Sequence, residues 1–266
     1  MFRLFLALVL AASVSTAGYR LRALSASGAL AAMCVGTVAF AWGDIRWYGP
    51  LLVFFLSGSF LFRPFPHASR TIEDQTRPRT WKQVCASGGT LPAFLAGAYA
   101  FPTSASLFLG TYVALLAAQT ADTWATEAGI RWGGVPHDIL TGRPLAPGAS
   151  GGVTAVGTLF GISGAVVLAT SAFLFAFPYV ASSAPSQGKA PESFDFLLRF
   201  SPLSFSLLVG AGIAGLFADS LLGALWERPH STHSAFRLSN EAVNFLSGHL
   251  AALLYAAAAF GISSGR

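Results

Sequence analysis

Two aspartates, Asp122 and Asp219, stand inside long apolar stretches of this chain. The first lies in Ala117-Ala-Gln-Thr-Ala-Asp-Thr-Trp-Ala-Thr-Glu127, the second in Gly212-Ile-Ala-Gly-Leu-Phe-Ala-Asp-Ser-Leu-Leu-Gly223. A carboxylate at bilayer depth costs roughly 2.5–3.5 kcal/mol even on insertion scales, so it persists with a partner or a chemical role. Gln119, Asp122, Thr123 and Thr126 recur at i, i+3, i+4 and i+7, which is one helical face. Glu127 is about 140° around an ideal helix from Asp122, and joins that face only if the helix ends near Gly129. A polar seam between helices would account for the glutamine and threonines. It does not require a carboxylate, and two of them point to cation binding.

Around Asp219, Gly212, Gly215 and Gly223 form a stripe that lets a neighbouring helix approach closely. Downstream, Ser239-Asn-Glu-Ala-Val-Asn-Phe opens another helix, with Asn240, Asn244, Ser247 and Gly248 on one face. Between the aspartates runs Thr141-Gly-Arg-Pro-Leu-Ala-Pro-Gly-Ala-Ser-Gly-Gly-Val-Thr154. A glycine-rich turn that opens a helix offers backbone N–H groups and the positive dipole end to an anion. Gly148, Ser150, Gly151 and Gly152 would supply that turn, and Arg143 a cation beside it. It is no Walker loop, because the Gly-Lys-Ser/Thr ending is missing. Lys82 and Gln83 enter an apolar segment at a small-residue helix start and are candidates for substrate contact. Carboxylates for Mg²⁺ with cations and amides for phosphate oxygens are the parts of a phosphoryl-transfer site.

The elements that hold these residues read as membrane helices. Of 266 residues, 54% are hydrophobic and only 10% charged, against about 25% charged in soluble domains. Apolar spans fall near 2–17, 24–42, 47–62, 84–102, 105–127, 152–179, 203–226 and 241–262. The expectation is one integral membrane domain over 1–266, an all-α polytopic bundle of about eight (seven to eight) transmembrane helices. The first span also carries signal-peptide features: Arg3, an apolar core, then Ser-Thr-Ala at 15–17. The basic Arg20 and Arg22 directly after it favour a retained helix. Cys34 and Cys85 both lie in apolar segments, which gives neither a disulfide framework nor a zinc site. His230 and His233 near Glu227 read as solvent-facing rather than as metal ligands.

Alternating eight spans puts Arg20, Arg22 and the 63–82, 128–150 and 227–240 loops on one side, with 11 of the 16 basic residues. Arg3, Arg46, Lys189, Arg199 and Arg266 fall on the other. By the positive-inside rule the first side is cytoplasmic, and both aspartates fall near it. The net charge of +5 is then a topology signal, with no nucleic-acid partner implied. A bacterial inner membrane with a cytoplasm-facing site is the expected location.

Several blocks, taken in order, resemble the phytyl-phosphate kinase-like family of polytopic membrane proteins. They are Leu24-Ser-Ala-Ser-Gly-Ala-Leu-Ala-Ala, Phe54-Phe-Leu-Ser-Gly-Ser, Lys82-Gln-Val-Cys-Ala-Ser-Gly-Gly, Ala121-Asp-Thr-Trp-Ala-Thr-Glu, Pro147-Gly-Ala-Ser-Gly-Gly-Val-Thr, Asp219-Ser-Leu-Leu-Gly-Ala and Asn240-Glu-Ala-Val-Asn-Phe. Two blocks depart from the family pattern. Ala86-Ser87-Gly88 stands where the family reads alanine-asparagine-glycine, and Ser150 where threonine is frequent. The resemblance implies transfer of a nucleotide's terminal phosphate, from CTP in the plant members, to an isoprenoid monophosphate such as phytyl or geranylgeranyl phosphate. The product is the diphosphate.

Combined, the expectation is a membrane-embedded Mg²⁺-dependent kinase acting on a nucleoside triphosphate and an isoprenoid-phosphate lipid. Asp122 and Asp219 would hold the metal, with Glu127 as a third ligand. Asn240 and Asn244 would orient the acceptor or metal-bound water, and Thr126 would line the substrate site. Two alternatives differ in kind. A non-catalytic isoprenoid carrier would lack nucleotide turnover. A rhomboid-like serine protease would use Ser150 in Gly148-Ala-Ser-Gly-Gly152 with His249 as base.

Overall fold

In a computed structural model of the protein, residues 1–61, 78–182, 201–228 and 237–264 are described. Arg63, Arg70, Arg77, Lys189, Arg199, Arg266, His230 and His233 lie outside the described residues. The helices in chain order are α1 (Phe2–Arg20), α2 (Ala26–Trp42), α3 (Ile45–Phe60), α4 (Trp81–Gly88), α5 (Leu91–Ala100), α6 (Ala105–Trp132), α7 (Ala155–Ser182), α8 (Pro202–Leu222) and α9 (Asn240–Ser264). The architecture is an all-α polytopic membrane bundle. Among the described residues five helices are long and apolar enough to cross a bilayer: Phe2–Arg20, Pro102–Trp132, Ala155–Phe177, Pro202–Glu227 and Asn240–Ile262. Leu174, Phe177, Leu253 and Phe260 are exposed on them, as a lipid-facing surface requires.

Each apolar span became helix, with two corrections to the boundaries. The span expected at 84–102 is two short helices, α4 and α5, broken at Gly89-Thr90, with Pro92 in the first turn of α5. Proline is at ease at a helix start and breaks a helix interior. The span expected to end at 127 runs on to Trp132. Gly129 does not stop α6, because it faces α7 across a close contact, Thr154 Oγ1 lying 3.1 Å from where a Cβ would stand.

Helix starts are set by side-chain caps on N–H groups left free in the first turn. The Ser25 hydroxyl accepts from Gly28 N at 3.1 Å, the Asp44 carboxylate from Arg46 N at 2.9 Å, and the Ser201 hydroxyl from Ser204 N at 3.1 Å. The centre of the bundle is α6, which packs against α3, α5, α7, α8 and α9. Its stretch from Tyr112 to Ala117 is fully buried on all sides, the pattern of an interior helix. At about 1.5 Å per residue its 28 residues span about 42 Å, longer than a bilayer's apolar core of about 30 Å. The polar last turns therefore have room to project into a site at one end.

The two ends of the bundle are built differently. At one, Arg3 Nη2 donates to Gly43 O at 2.8 Å, and the Tyr99 hydroxyl donates to the Trp42 carbonyl. At the other, Arg79 pairs with the 23–25 turn. Arg79 N donates to Ala23 O at 2.9 Å, and Ser25 N to Arg79 O at 3.0 Å. Residues 133–154 fold across this second end. They carry an antiparallel pair, β1 (His137–Asp138) with β2 (Gly152–Val153), His137 lying opposite Val153.

Candidate functional site

The second end encloses a polar cavity of about 710 Å³. Its walls come from the ends of α3, α6 and α8, the starts of α4, α7 and α9, and the 147–153 turn. Of the residues singled out from sequence, Asp122, Asp219, Asn240, Asn244, Gln83, Thr126, Glu127, Gly148, Ser150, Gly151 and Gly152 all line it. Lys82 and Arg143 do not; both are exposed outside it.

Asp122 on α6 and Asp219 on α8 are within electrostatic reach of each other, and Glu227 acts on both. Among the described residues no cation stands at salt-bridge distance from either aspartate. The Ser247 hydroxyl of α9 donates to Asp219 Oδ2 at 2.8 Å and fixes that carboxylate. Two buried carboxylates on adjacent helices, without a counter-charge among the described residues, form a natural seat for a divalent cation. Among the described residues no three His, Cys, Asp or Glu side chains converge as a ready-made metal cluster. Glu127 accepts an ion pair from Arg131 one turn further along α6, which occupies it elsewhere than beside the two aspartates. Mg²⁺ typically takes one or two protein carboxylates and completes its shell with phosphate and water, so this pair fits that ion.

The asparagine face of α9 divides into two tasks. Gln119 Nε2 donates to the backbone carbonyl of Asn244 at 2.6 Å, while Ser87 Oγ donates to Gln119 Oε1 at 3.1 Å. The interhelical tie thus uses the main chain of Asn244. Its side-chain Oδ1 is buried at the cavity wall with no hydrogen-bond partner among the described residues. Leaving such an atom unsatisfied costs about 1–3 kcal/mol, a cost a ligand can remove.

The glycine-rich turn differs from the expectation in detail. It does not itself open α7, because β2 intervenes and Thr154 supplies the cap, its Oγ1 accepting from Gly157 N at 2.9 Å. Gly152 N already donates to Ala149 O at 3.0 Å, so that N–H is not free for an anion. Gly151 holds φ +75°, a left-handed conformation that glycine adopts without strain. A Cβ there would also stand 2.5 Å from both Ala224 and Arg228. The turn is pinned by Arg228, whose Nε donates to Ser150 O and whose Nη1 pairs with Asp138 of β1. The hydrogen bond from Arg228, with a backbone one from Leu140 N, brings the Asp138 carboxyl down to about 2. Ser150 also hydrogen-bonds Glu227, which closes a π-helical turn, Gly223–Glu227, at the end of α8.

That partnership bears on the protease alternative. His249 does not line the cavity; its ring stacks 3.9 Å from Phe245, and its Nδ1 meets Phe245 O at 2.6 Å. Ser150 and His249 are therefore not brought into one site.

Arg79, rather than the neighbouring Lys82 singled out from sequence, is among the cations that line the cavity. Its guanidinium sits 5.0 Å over the Phe54 ring and interacts with Glu127. Two glycines from the blocks above make room for it. A Cβ on Gly28 would lie 2.0 Å from Arg79 O, and one on Gly58 would lie 2.6 Å from Arg79 Nη2. Gln83, by contrast, lines the cavity but uses Oε1 to accept from Thr80 N at 2.9 Å and cap α4. Arg22, Arg131 and Glu241 complete the charged lining. No local signal marks Arg79, since its partners lie about fifty residues before it and twenty residues before it in sequence.

The family described as integral membrane protein DUF92 matches residues 9–252. Protein PGR of Arabidopsis thaliana is 26% identical over 238 residues, covering 84% of this chain and 78% of the relative. An uncharacterized membrane protein of Methanocaldococcus jannaschii is 26% identical over 260 residues, covering 96% and 95%. No solved structure matches.

Proposed function

The chain belongs to the DUF92 family of integral membrane proteins, and from that premise we propose that it is a Mg²⁺-dependent kinase moving a nucleotide's terminal phosphate onto an isoprenoid monophosphate. One observation carries the reading. Asp122 and Asp219, from two helices, act on each other across a polar cavity in which Arg79 is also held. Carboxylates for a metal and a guanidinium for an oxyanion are what phosphoryl transfer asks of a protein. CTP is the preferred donor on the family resemblance, and Arg22, Arg79 and Arg131 at the cavity end support a cytoplasmic face for the site.

Bound Mg²⁺ would neutralise the nucleotide phosphates. Asp122 and Asp219 would hold the cation, with Ser247 keeping Asp219 in the orientation to do so. Arg79 would draw the acceptor phosphate towards the nucleotide, and Asn244 Oδ1, buried without a partner among the described residues, would accept from a donor of the bound ligands. An oxygen of the lipid phosphate attacks the terminal phosphorus, the bond to the bridging oxygen breaks, and the nucleoside diphosphate leaves. The acceptor is already an oxyanion, so no strong general base is needed. Positioning and charge neutralisation supply the rate.

The test is purified protein with Mg²⁺ and each nucleoside triphosphate in turn, against phytyl, geranylgeranyl and farnesyl monophosphates. Nucleoside diphosphate release that requires both lipid and Mg²⁺ is the expected outcome. Lipid binding without nucleotide turnover would instead favour a carrier.

A further inference from the structure

Beside the polar cavity lies a second, apolar one, enclosed by α1, α2, α3 and α4. Its walls are mostly Ala, Val, Leu and Phe side chains, and its volume is about 80 Å³. Phe54, Arg79, Gln83 and Ser87 line both. The two spaces therefore adjoin along these four residues, where the Arg79 guanidinium lies over the Phe54 ring. Among the described residues no hydrogen bond is made by that guanidinium, although an arginine offers five donors. A half-buried cation with open donors at a polar–apolar boundary matches one ligand shape, an anionic head on a hydrocarbon chain.

We propose that this slot takes the head-proximal carbons of the lipid phosphate, with Arg79 on the phosphate itself; the assignment rests on the kinase reading for the identity of the head. The size limits what is read. A cavity of about 150 Å³ holds a six-carbon benzene ring, so this slot, with about half that volume, takes about three carbons, the branch point of the first isoprene unit and not the whole tail. It is accordingly a reader of the first isoprene unit. Straight-chain phosphates lack the methyl branch that would reach Val35 and Leu51, and should be poorer substrates. The position of Gly88 supports the same use of the space. A Cβ there would make ordinary contacts, 3.4 Å to Val35 and 3.8 Å to Leu51, so a side chain at 88 enters the slot without displacing backbone.

The test uses the full chain in detergent or nanodiscs and a prenyl monophosphate carrying a diazirine on its first isoprene unit. Adducts on Val35, Leu51 or Val84 are expected. Adducts confined to outward-facing residues such as Leu30 and Leu56 would overturn the slot. In parallel, Gly88→Val should raise KM for geranylgeranyl phosphate about tenfold or more, the scale of one misfitted methyl in an apolar pocket, with KM for the nucleotide unchanged. An unchanged lipid KM would also overturn it. If Gly88→Val fails to fold, the adducts on the unsubstituted protein decide. Slot adducts without phosphoryl transfer would keep the slot and sink the kinase reading, whereas transfer with adducts elsewhere would do the reverse.

Discussion

The same three helices, α6, α8 and α9, build two regions that share little chemistry. Toward one end they close on each other through small residues. Gly110 of α6 accommodates Tyr255 of α9, whose hydroxyl would stand 2.4 Å from a Cβ at 110. Gly215 of α8 meets Ala118 and Ala251, at 2.4 and 3.0 Å from the same construction. Toward the other end the helices part around the cavity, and Asp122, Asp219 and Asn244 take the places that alanine and leucine fill below. Without a hydrophobic force between helices in lipid, close packing of small residues is what holds such a bundle. The closed end supplies that packing, and so leaves the open end able to keep buried polar groups that would not stabilise it.

This division predicts that substitutions at the two ends fail in different ways. The largest effect belongs to Asp122→Asn and Asp219→Asn. Each keeps the side chain's shape and removes the charge that would hold Mg²⁺, so turnover should fall by about 10³-fold or more while the protein still inserts and folds. Near-normal rates across a Mg²⁺ titration would remove that aspartate from the metal site.

Asn244→Ala comes next. The tie to Gln119 uses the Asn244 carbonyl, which alanine retains, so stability should hardly change. Turnover should fall by about 10²-fold if Oδ1 contributes one preorganised polar contact. A loss of about 1 kcal/mol of stability with turnover per folded molecule intact would instead make it interhelical glue.

Gly110→Val inverts the pattern. It forces side-chain atoms into Tyr255 and should cost about 1–3 kcal/mol of stability. The folded fraction should keep its kcat, as measured by thermal unfolding and turnover on one preparation.

The smallest effect concerns Asp138, which ties the 133–154 connection to α8 through Arg228. Its folded value of about 2 lies below the unfolded value of about 3.9. The stabilising contribution is therefore fully present above about pH 4 to 5 and is lost as pH falls through the folded value. Limited proteolysis of the connection should rise only in strong acid for the unsubstituted protein. In Asp138→Asn it should be raised already at neutral pH.

Much of this contrast could be read from the chain. The eight apolar segments are all helical, and the stripes on α8 and α9 point where helical spacing put them, with Gly212 and Gly215 against α6 and Ser247 against Asp219. Both aspartates fall on one cavity because alternation of spans fixes which ends meet. Three features were not legible. The break between α4 and α5 depends on how Gly89-Thr90 packs, beyond what hydropathy records. The choice of Arg79 over Lys82 depends on Gly28 and Gly58, distant residues whose only contribution is the absence of a side chain. The Arg228–Asp138 pair joins two loops ninety residues apart, and no local periodicity carries that information.

The central claim is that the open end passes a terminal phosphate from nucleotide to lipid over the two aspartates. Its most direct test uses nucleotide labelled in the terminal phosphate, incubated with Mg²⁺, geranylgeranyl monophosphate and either the unsubstituted protein or Asp219→Asn. Label should appear in the prenyl diphosphate with the unsubstituted protein and be absent with Asp219→Asn. Label released only as inorganic phosphate, or transferred equally well by Asp219→Asn, would contradict the account.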